Sequence, residues 1–218
     1  NIISIPYENT QVLTKRFVPC NTEDLFRRIV LEKKGGLCHD IASLFGWFLT
    51  ELGYEVLPVG TVSFLEKLSS HVHKTLIVTD CEGKCWLTET AYSVFFSNKK
   101  PIRFIPGIKQ YLDGEEFLIE ERDHKTCLIG PSESASFRME YPGIAPEIGT
   151  KIKELTVAGN DPAGKVKRMF SIGTPEGRRT LFGNSYREYF GDRMYSYDCP
   201  QEQLPWAYAQ FGLAYDGE

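Results

Sequence analysis

Apolar positions along the chain change period twice, and each change predicts a different kind of element. Over residues 22–31, "TEDLFRRIVL", Leu25, Phe26, Ile29 and Val30 fall on one face at helical spacing, with Thr22 as the expected N-cap and acidic residues in the first turn. Beyond the glycines of "LEKKGGLCHD" at 31–40, Ile41, Leu44, Phe45, Phe48 and Leu52 repeat the pattern and predict a second helix, stopped by Gly53.

From about residue 55 the pattern shortens to β-rich runs broken by turn residues, as in a meander or a small barrel. "HVHKTLIVT" and "KCWLTETAY" flank "DCEGK" and predict a hairpin with Gly83 in its turn. Further strands are expected at 101–105, 116–120, 125–130 and 136–141. The Pro- and Gly-rich stretch 142–164 reads as a boundary. After it, "VKRMFSIGTPEGRRTLFG" predicts a hairpin turning at Pro175 to Gly177. "CPQEQLPWAYAQFGL" predicts an amphipathic helix disturbed by Pro205.

Composition narrows the partners. With 25 Lys and Arg against 29 Asp and Glu, the net charge is -4, so no basic field points to nucleic acid or to an anionic membrane. No apolar run reaches the ~18 residues that a membrane span needs, and nothing reads as a signal peptide. Six Cys are scattered at 20, 38, 81, 85, 127 and 199 in a chain large enough to fold without staples, which predicts reduced thiols and a cytoplasmic location. Cys81 and Cys85 flank a turn, but no second pair or His cluster completes a zinc site, so no metal is expected.

Cys38 carries the candidate chemistry. Gly35 and Gly36 are expected to turn the backbone sharply into the second helix, leaving Cys38 in the first turn, where free N–H groups favour an anion; Lys33 and Lys34 add positive charge. A Cys nucleophile needs a base and a group that orients it. His39 is adjacent on the helix and cannot face Cys38. His71 and His73 share one side of a predicted strand, and Glu89 stands on the return strand beside them. The same residues also fit a buried structural Cys and a structural His, so the spacing alone leaves both readings open.

The wider pattern is more specific. "IPYEN" at 5–9, "KKGGLC" at 33–38, "LGYEV" at 52–56, "HKTLIV" at 73–78 and "WLTET" at 86–90 together resemble the arylamine N-acetyltransferase family, and "TPEGRRTLFG" at 174–183 and "FGL" at 211–213 are similar to its later segments. The resemblance implies an α+β fold: an N-terminal helical bundle over 1–53 with the nucleophile on a helix N-terminus, a central antiparallel β-barrel over 54–150, and a C-terminal α/β lid over 151–218. It also implies a further helical stretch upstream of "IPYEN". The function implied is ping-pong transfer of an acetyl or other short acyl group from acetyl-CoA, or another acyl-CoA, through an acyl-cysteine to an arylamine, hydrazine or related amine.

Carried over by position, Cys38 is the nucleophile and His73 the base, preferred to His71 because it stands before the apolar strand. Glu89 takes the place of the family's aspartate. Tyr7, Val62 and Tyr92 match residues that line the amine pocket, Ala91 and Ser93 match the segment approached by acyl-CoA, and Glu8 and Lys34 match an ion pair that braces the nucleophile loop.

Two departures stand out. Glu replaces Asp in the triad, and Thr90, Ala91, Tyr92 and Ser93 replace Val-Gly-Phe-Gly, whose glycines allow close approach of backbone and ligand. That replacement keeps two other readings in view: an amide synthase acting on a carrier-bound acyl chain in secondary metabolism, and a catalytically silent ligand-binding homologue.

Overall fold

The computed structural model describes residues 3–14, 21–64, 72–91, 93, 95–96, 98–140, 167–215 and 217. In chain order these form β1 (Tyr7–Glu8), α1 (Thr10–Leu13), α2 (Thr22–Phe26) and α3 (Cys38–Glu51). The strands β2 (Glu55–Ser63), β3 (Val72–Thr79), β4 (Cys85–Thr88), β5 (Ile102–Arg103), β6 (Lys109–Leu112), β7 (Glu115–Arg122), β8 (Lys125–Ile129) and β9 (Phe137–Glu140) follow. Last come β10 (Met169–Thr174), β11 (Gly177–Phe182), β12 (Ser185–Phe190), β13 (Arg193–Asp198) and α4 (Leu204–Ala209). The boundary expected at 142–164 lies outside the described residues.

The helical region departs from its expected form in two ways. Asn21, not Thr22, caps α2, its side chain accepting from the Asp24 N–H at 2.9 Å. The helix then widens into a turn of π-helix over Arg27–Leu31. The expected apolar face is only half buried: Leu25 and Ile29 are buried while Phe26 and Val30 are exposed. α3 forms as expected, and Gly53 ends it with a φ of 87°.

Eight strands make one antiparallel sheet in the order β5-β4-β3-β2-β9-β8-β7-β6, curled into a nearly closed barrel. The seam between its end strands is stitched by one side chain: Gln110 accepts from the Arg103 N–H and donates to the Arg103 carbonyl, both at 2.7 Å. The short β6 escaped the sequence reading because its exposed and half-exposed residues show no apolar alternation. Val59, Ile77, Phe117, Ile119, Leu128 and Phe137 fill the interior. On the outside, Ala42 of α3 packs with Leu76 and Val78 of β3. Gly46 lies in the same interface, where an added Cβ would make ordinary contacts with Leu76 and Val56 at about 3.5 Å.

A second sheet, β1-β10-β11-β12-β13, joins the first residues of the chain to the last. Its hairpin turns at Pro175–Glu176 as expected, with Thr174 paired to Gly177. β12 and β13 add a hairpin that the sequence reading passed over, and β13 is exposed along its whole length. α4 packs Leu204, Ala207 and Tyr208 against Phe170, Leu181 and Tyr186. Pro205 does not disturb this helix but stands in its first turn, where the missing N–H costs nothing.

Candidate active site

Tyr7 and Glu8 connect the second sheet to the loop before α3. Tyr7 pairs with Ser171 of β10 on one side and forms a bridge to Gly36 on the other. Gly36 donates to the Pro6 carbonyl at 3.3 Å, and its own carbonyl accepts from Glu8 at 3.0 Å. Asn9 clamps the far side, donating to the Lys167 carbonyl and accepting from the Met169 N–H, both at 2.8 Å.

The glycines serve this close packing rather than a left-handed turn. Neither Gly35 nor Gly36 has a positive φ; that conformation belongs to Lys33, at 54°. A Cβ on Gly35 would lie 2.3 Å from the Pro6 carbonyl oxygen and 2.6 Å from Glu8 Cγ. The segment can lie against β1 only without side chains.

Cys38 is the first residue of α3, where backbone N–H groups are not used within the helix. Its partner is His73, on the barrel-facing side of β3, whose ring stacks obliquely at 6.3 Å from Phe137. The imidazole is hydrogen-bonded both to the Cys38 thiol and to Glu89. His73 Nε2 lies 2.8 Å from Glu89 Oε1, and these side chains are 10% and 3% exposed.

Burial works against the His73 imidazolium, yet the charges of Glu89 and Cys38 and the hydrogen bonds to both outweigh it and raise its pKa to about 10. Glu89 stands just past the end of β4, where its Oε1 also accepts from the Thr90 N–H at 3.0 Å. Glu89 Oε2 and Thr90 Oγ1 are buried with no hydrogen-bond partner among the described residues.

The remaining predicted residues divide. Tyr7 and Ala91 pack in one cluster with Cys38, Leu25, Ile29, Ile41 and Leu44. Burial and the nearby charge of Cys38 push the Tyr7 hydroxyl well above its ordinary pKa. Val62 is half-buried on β2, next to Thr61, which pairs with His73. Ser93 turns toward the second sheet and hydrogen-bonds Ser171 at 2.7 Å in full burial. His71 and Tyr92 lie outside the described residues.

The expected Glu8–Lys34 ion pair is not formed. Lys34 Nζ binds Glu32 at 2.9 Å at the surface, and Glu8 Oε2 accepts from the Thr10 N–H at 2.6 Å. The loop is braced instead by a pair that sequence reasoning missed. Arg28 Nη2 lies 2.9 Å from Asp40 Oδ2, with side chains 11% and 2% exposed, and Asp40 also accepts from the Leu37 N–H at 3.3 Å. An acid at the third position of a helix is a capping signal, so Asp40 was findable; its distant partner was not. Lys74, the neighbour of His73, points instead to α3 and donates to Ser43 at 2.8 Å.

A protein-family model described as N-acetyltransferase matches residues 1–142 of this chain. The chain belongs to the arylamine N-acetyltransferase family. Arylamine N-acetyltransferase 1 of Mus musculus is 26% identical over 124 residues, which is 55% of this chain and 42% of that protein. The chain therefore matches about two fifths of the length of this curated relative.

Two solved structures share the fold over nearly the whole chain. Arylamine N-acetyltransferase of Mycobacterium marinum, in complex with CoA, has a TM-score of 0.82 at 18% identity and covers 97% of this chain and 82% of its own. An arylamine N-acetyltransferase from Bacillus cereus has a TM-score of 0.77 at 18% identity, covering 98% and 87%, and its structure is described as revealing a Cys-His-Glu catalytic triad. The helical region, barrel and mixed C-terminal region seen here follow that architecture. Among the described residues no three His, Cys, Asp or Glu side chains gather in a group fit to hold a metal, and no helix is long and apolar enough to cross a membrane.

Proposed function

We propose that this arylamine N-acetyltransferase family member is an acyl-CoA-dependent N-acyltransferase that works through an acyl-cysteine. The observation that carries the reading is His73, hydrogen-bonded at once to the Cys38 thiol and to the buried Glu89 carboxylate. In the resting site the Cys38 proton resides on His73, and Glu89 holds the imidazolium in place. The Cys38 thiolate attacks the thioester carbonyl carbon, the carbon–sulfur bond to CoA breaks, and His73 gives its proton to the departing CoA sulfur. The neutral imidazole then takes a proton from the incoming amine as its nitrogen attacks the acyl-cysteine. The amide leaves, and the thiolate–imidazolium pair is restored.

In this reading Tyr7, Val62 and Tyr92 line the amine side, and Ala91 and Ser93 stand in the segment that the acyl donor approaches. The CoA complex of the Mycobacterium marinum relative supports an acyl-CoA donor, and the Bacillus cereus relative supports Glu in the third position of the triad. The amine is an arylamine, hydrazine or related small molecule.

Brief incubation with acetyl-CoA and longer acyl-CoAs, followed by intact and peptide mass spectrometry, tests the reading. One acyl group on Cys38, absent in Cys38→Ala and discharged by an arylamine, is expected. No adduct with any donor overturns it.

A further inference from the structure

We infer that Arg28 and Asp40 form an electrostatic positioning pair for Cys38: Asp40 fixes the first turn of α3, and Arg28 cancels the negative charge that this places beside the thiolate. The inference rests on the reading of Cys38 as the nucleophile.

The first turn of α3 must satisfy two demands that conflict. Its free N–H groups need an acceptor, which the Asp40 carboxylate supplies to Leu37, the residue before Cys38. A carboxylate two residues from Cys38 also disfavours a second negative charge there. Arg28 removes the conflict by binding the same oxygen, Oδ2, at 2.9 Å in near-complete burial. Its guanidinium also lies against the loop: a Cβ on Gly36 would meet Asp40 Cβ at 3.1 Å and Arg28 Nη2 at 3.2 Å. The Arg28 carbonyl accepts from the Lys34 N–H at 3.0 Å, so one residue holds both the backbone and the charge of this loop.

The other charged and titratable groups around this turn do not replace Arg28. Tyr7 and Glu8 come from β1, and neither is a cation. From β3, His73 is committed to Glu89, and Lys74, which feels the charges of both Cys38 and Asp40, gives its hydrogen bond to Ser43. His39 follows Cys38 on α3 itself. With Cys38 ionised, Cys38, Asp40 and Glu89 face the cations Arg28, His73 and Lys74, and the buried Glu8 carboxylate adds a fourth negative charge beside the loop. Removing one member changes the charge of a site with little water to compensate.

The pH profile of Cys38 alkylation by iodoacetamide, read on the Cys38 peptide by mass spectrometry, tests the pair. Asp40→Asn keeps an acceptor for the Leu37 N–H and leaves Arg28 unopposed, so the profile should move to lower pH by about one unit. Arg28→Met leaves Asp40 unopposed, so the profile should move to higher pH by about one unit, a tenfold loss of thiolate at a fixed pH below it. Arg28→Met with Asp40→Leu should bring the profile back toward the wild type.

Shifts of the two single variants in the same direction, or no shift in either, overturn the inference, since a purely structural brace would loosen the site alike in both. Where Arg28→Met does not fold, Asp40→Asn and the double variant decide the matter. Opposite shifts without any acyl adduct uphold the pair and overturn acyl transfer; an adduct with unmoved profiles does the reverse.

Discussion

Glu89 Oε1 accepts two hydrogen bonds at the end of β4, from the His73 ring at 2.8 Å and from the Thr90 backbone N–H at 3.0 Å. The second fixes the carboxylate so that the longer Glu side chain meets the imidazole without searching. Glu89→Asp withdraws the carboxylate by about one bond length, which should lower the rate of Cys38 acylation by about a hundredfold. Glu89→Gln keeps the shape but not the charge, and should cost about a thousandfold. Single-turnover acylation followed by quenched mass spectrometry measures both.

The raised pKa of His73 ties stability to pH. The native state keeps this proton up to about 10, whereas an unfolded His loses it near 6.5. The stabilisation is therefore fully present below about 6.5 and is lost as pH rises through about 10. Urea unfolding of the wild type should show a fall in stability across that window that is absent in His73→Asn. A flat difference between the two proteins would refute the coupling.

Gly35 tolerates no side chain where it stands. In Gly35→Ala the new Cβ meets the Pro6 carbonyl at 2.3 Å, so β1 and the nucleophile loop must separate. We expect a loss of about 1–3 kcal/mol in thermal or urea unfolding, together with slower acylation.

The Ser93–Ser171 hydrogen bond crosses from the barrel to the second sheet in full burial. Ser93→Ala leaves a buried hydroxyl unpaired and should cost about 1–3 kcal/mol. Removing both hydroxyls should cost less than the sum of the two single changes, which a double-mutant cycle would show. Equal additivity would mean that the two sheets do not use this contact.

Much of the site was legible because its signals are local. The Cys38–Ala42 start of α3, the hairpin turning at Gly83 and the Glu89 that follows it are each written in a few adjacent residues, and hydrophobic period places them on elements. The sequence predicts a sharp turn at Gly35–Gly36, whereas the structure uses these glycines for close packing, with no positive φ at either. Local sequence shows that glycine is present, while only the neighbouring Pro6 carbonyl shows that the reason is lack of room.

Charge pairing followed the same division. A resemblance matched Glu8 with Lys34, yet Lys34 reaches the exposed Glu32 and Glu8 turns back to Thr10. The buried brace is Arg28 with Asp40, twelve positions apart and on different helical segments, a pairing that no periodicity in "TEDLFRRIVL" announces.

By itself, then, the sequence determined most elements and their order, though not β6 or the β12–β13 hairpin, and its resemblance to a family singled out Cys38, His73 and Glu89. Tertiary structure alone decided which charges pair, where glycine is compulsory, and that Ser93 faces the second sheet. The physical reason is range. Helical and strand periods act over a few residues, whereas burial leaves an ion or hydroxyl no water to turn to, so its partner is chosen by whatever the fold brings within about 3 Å.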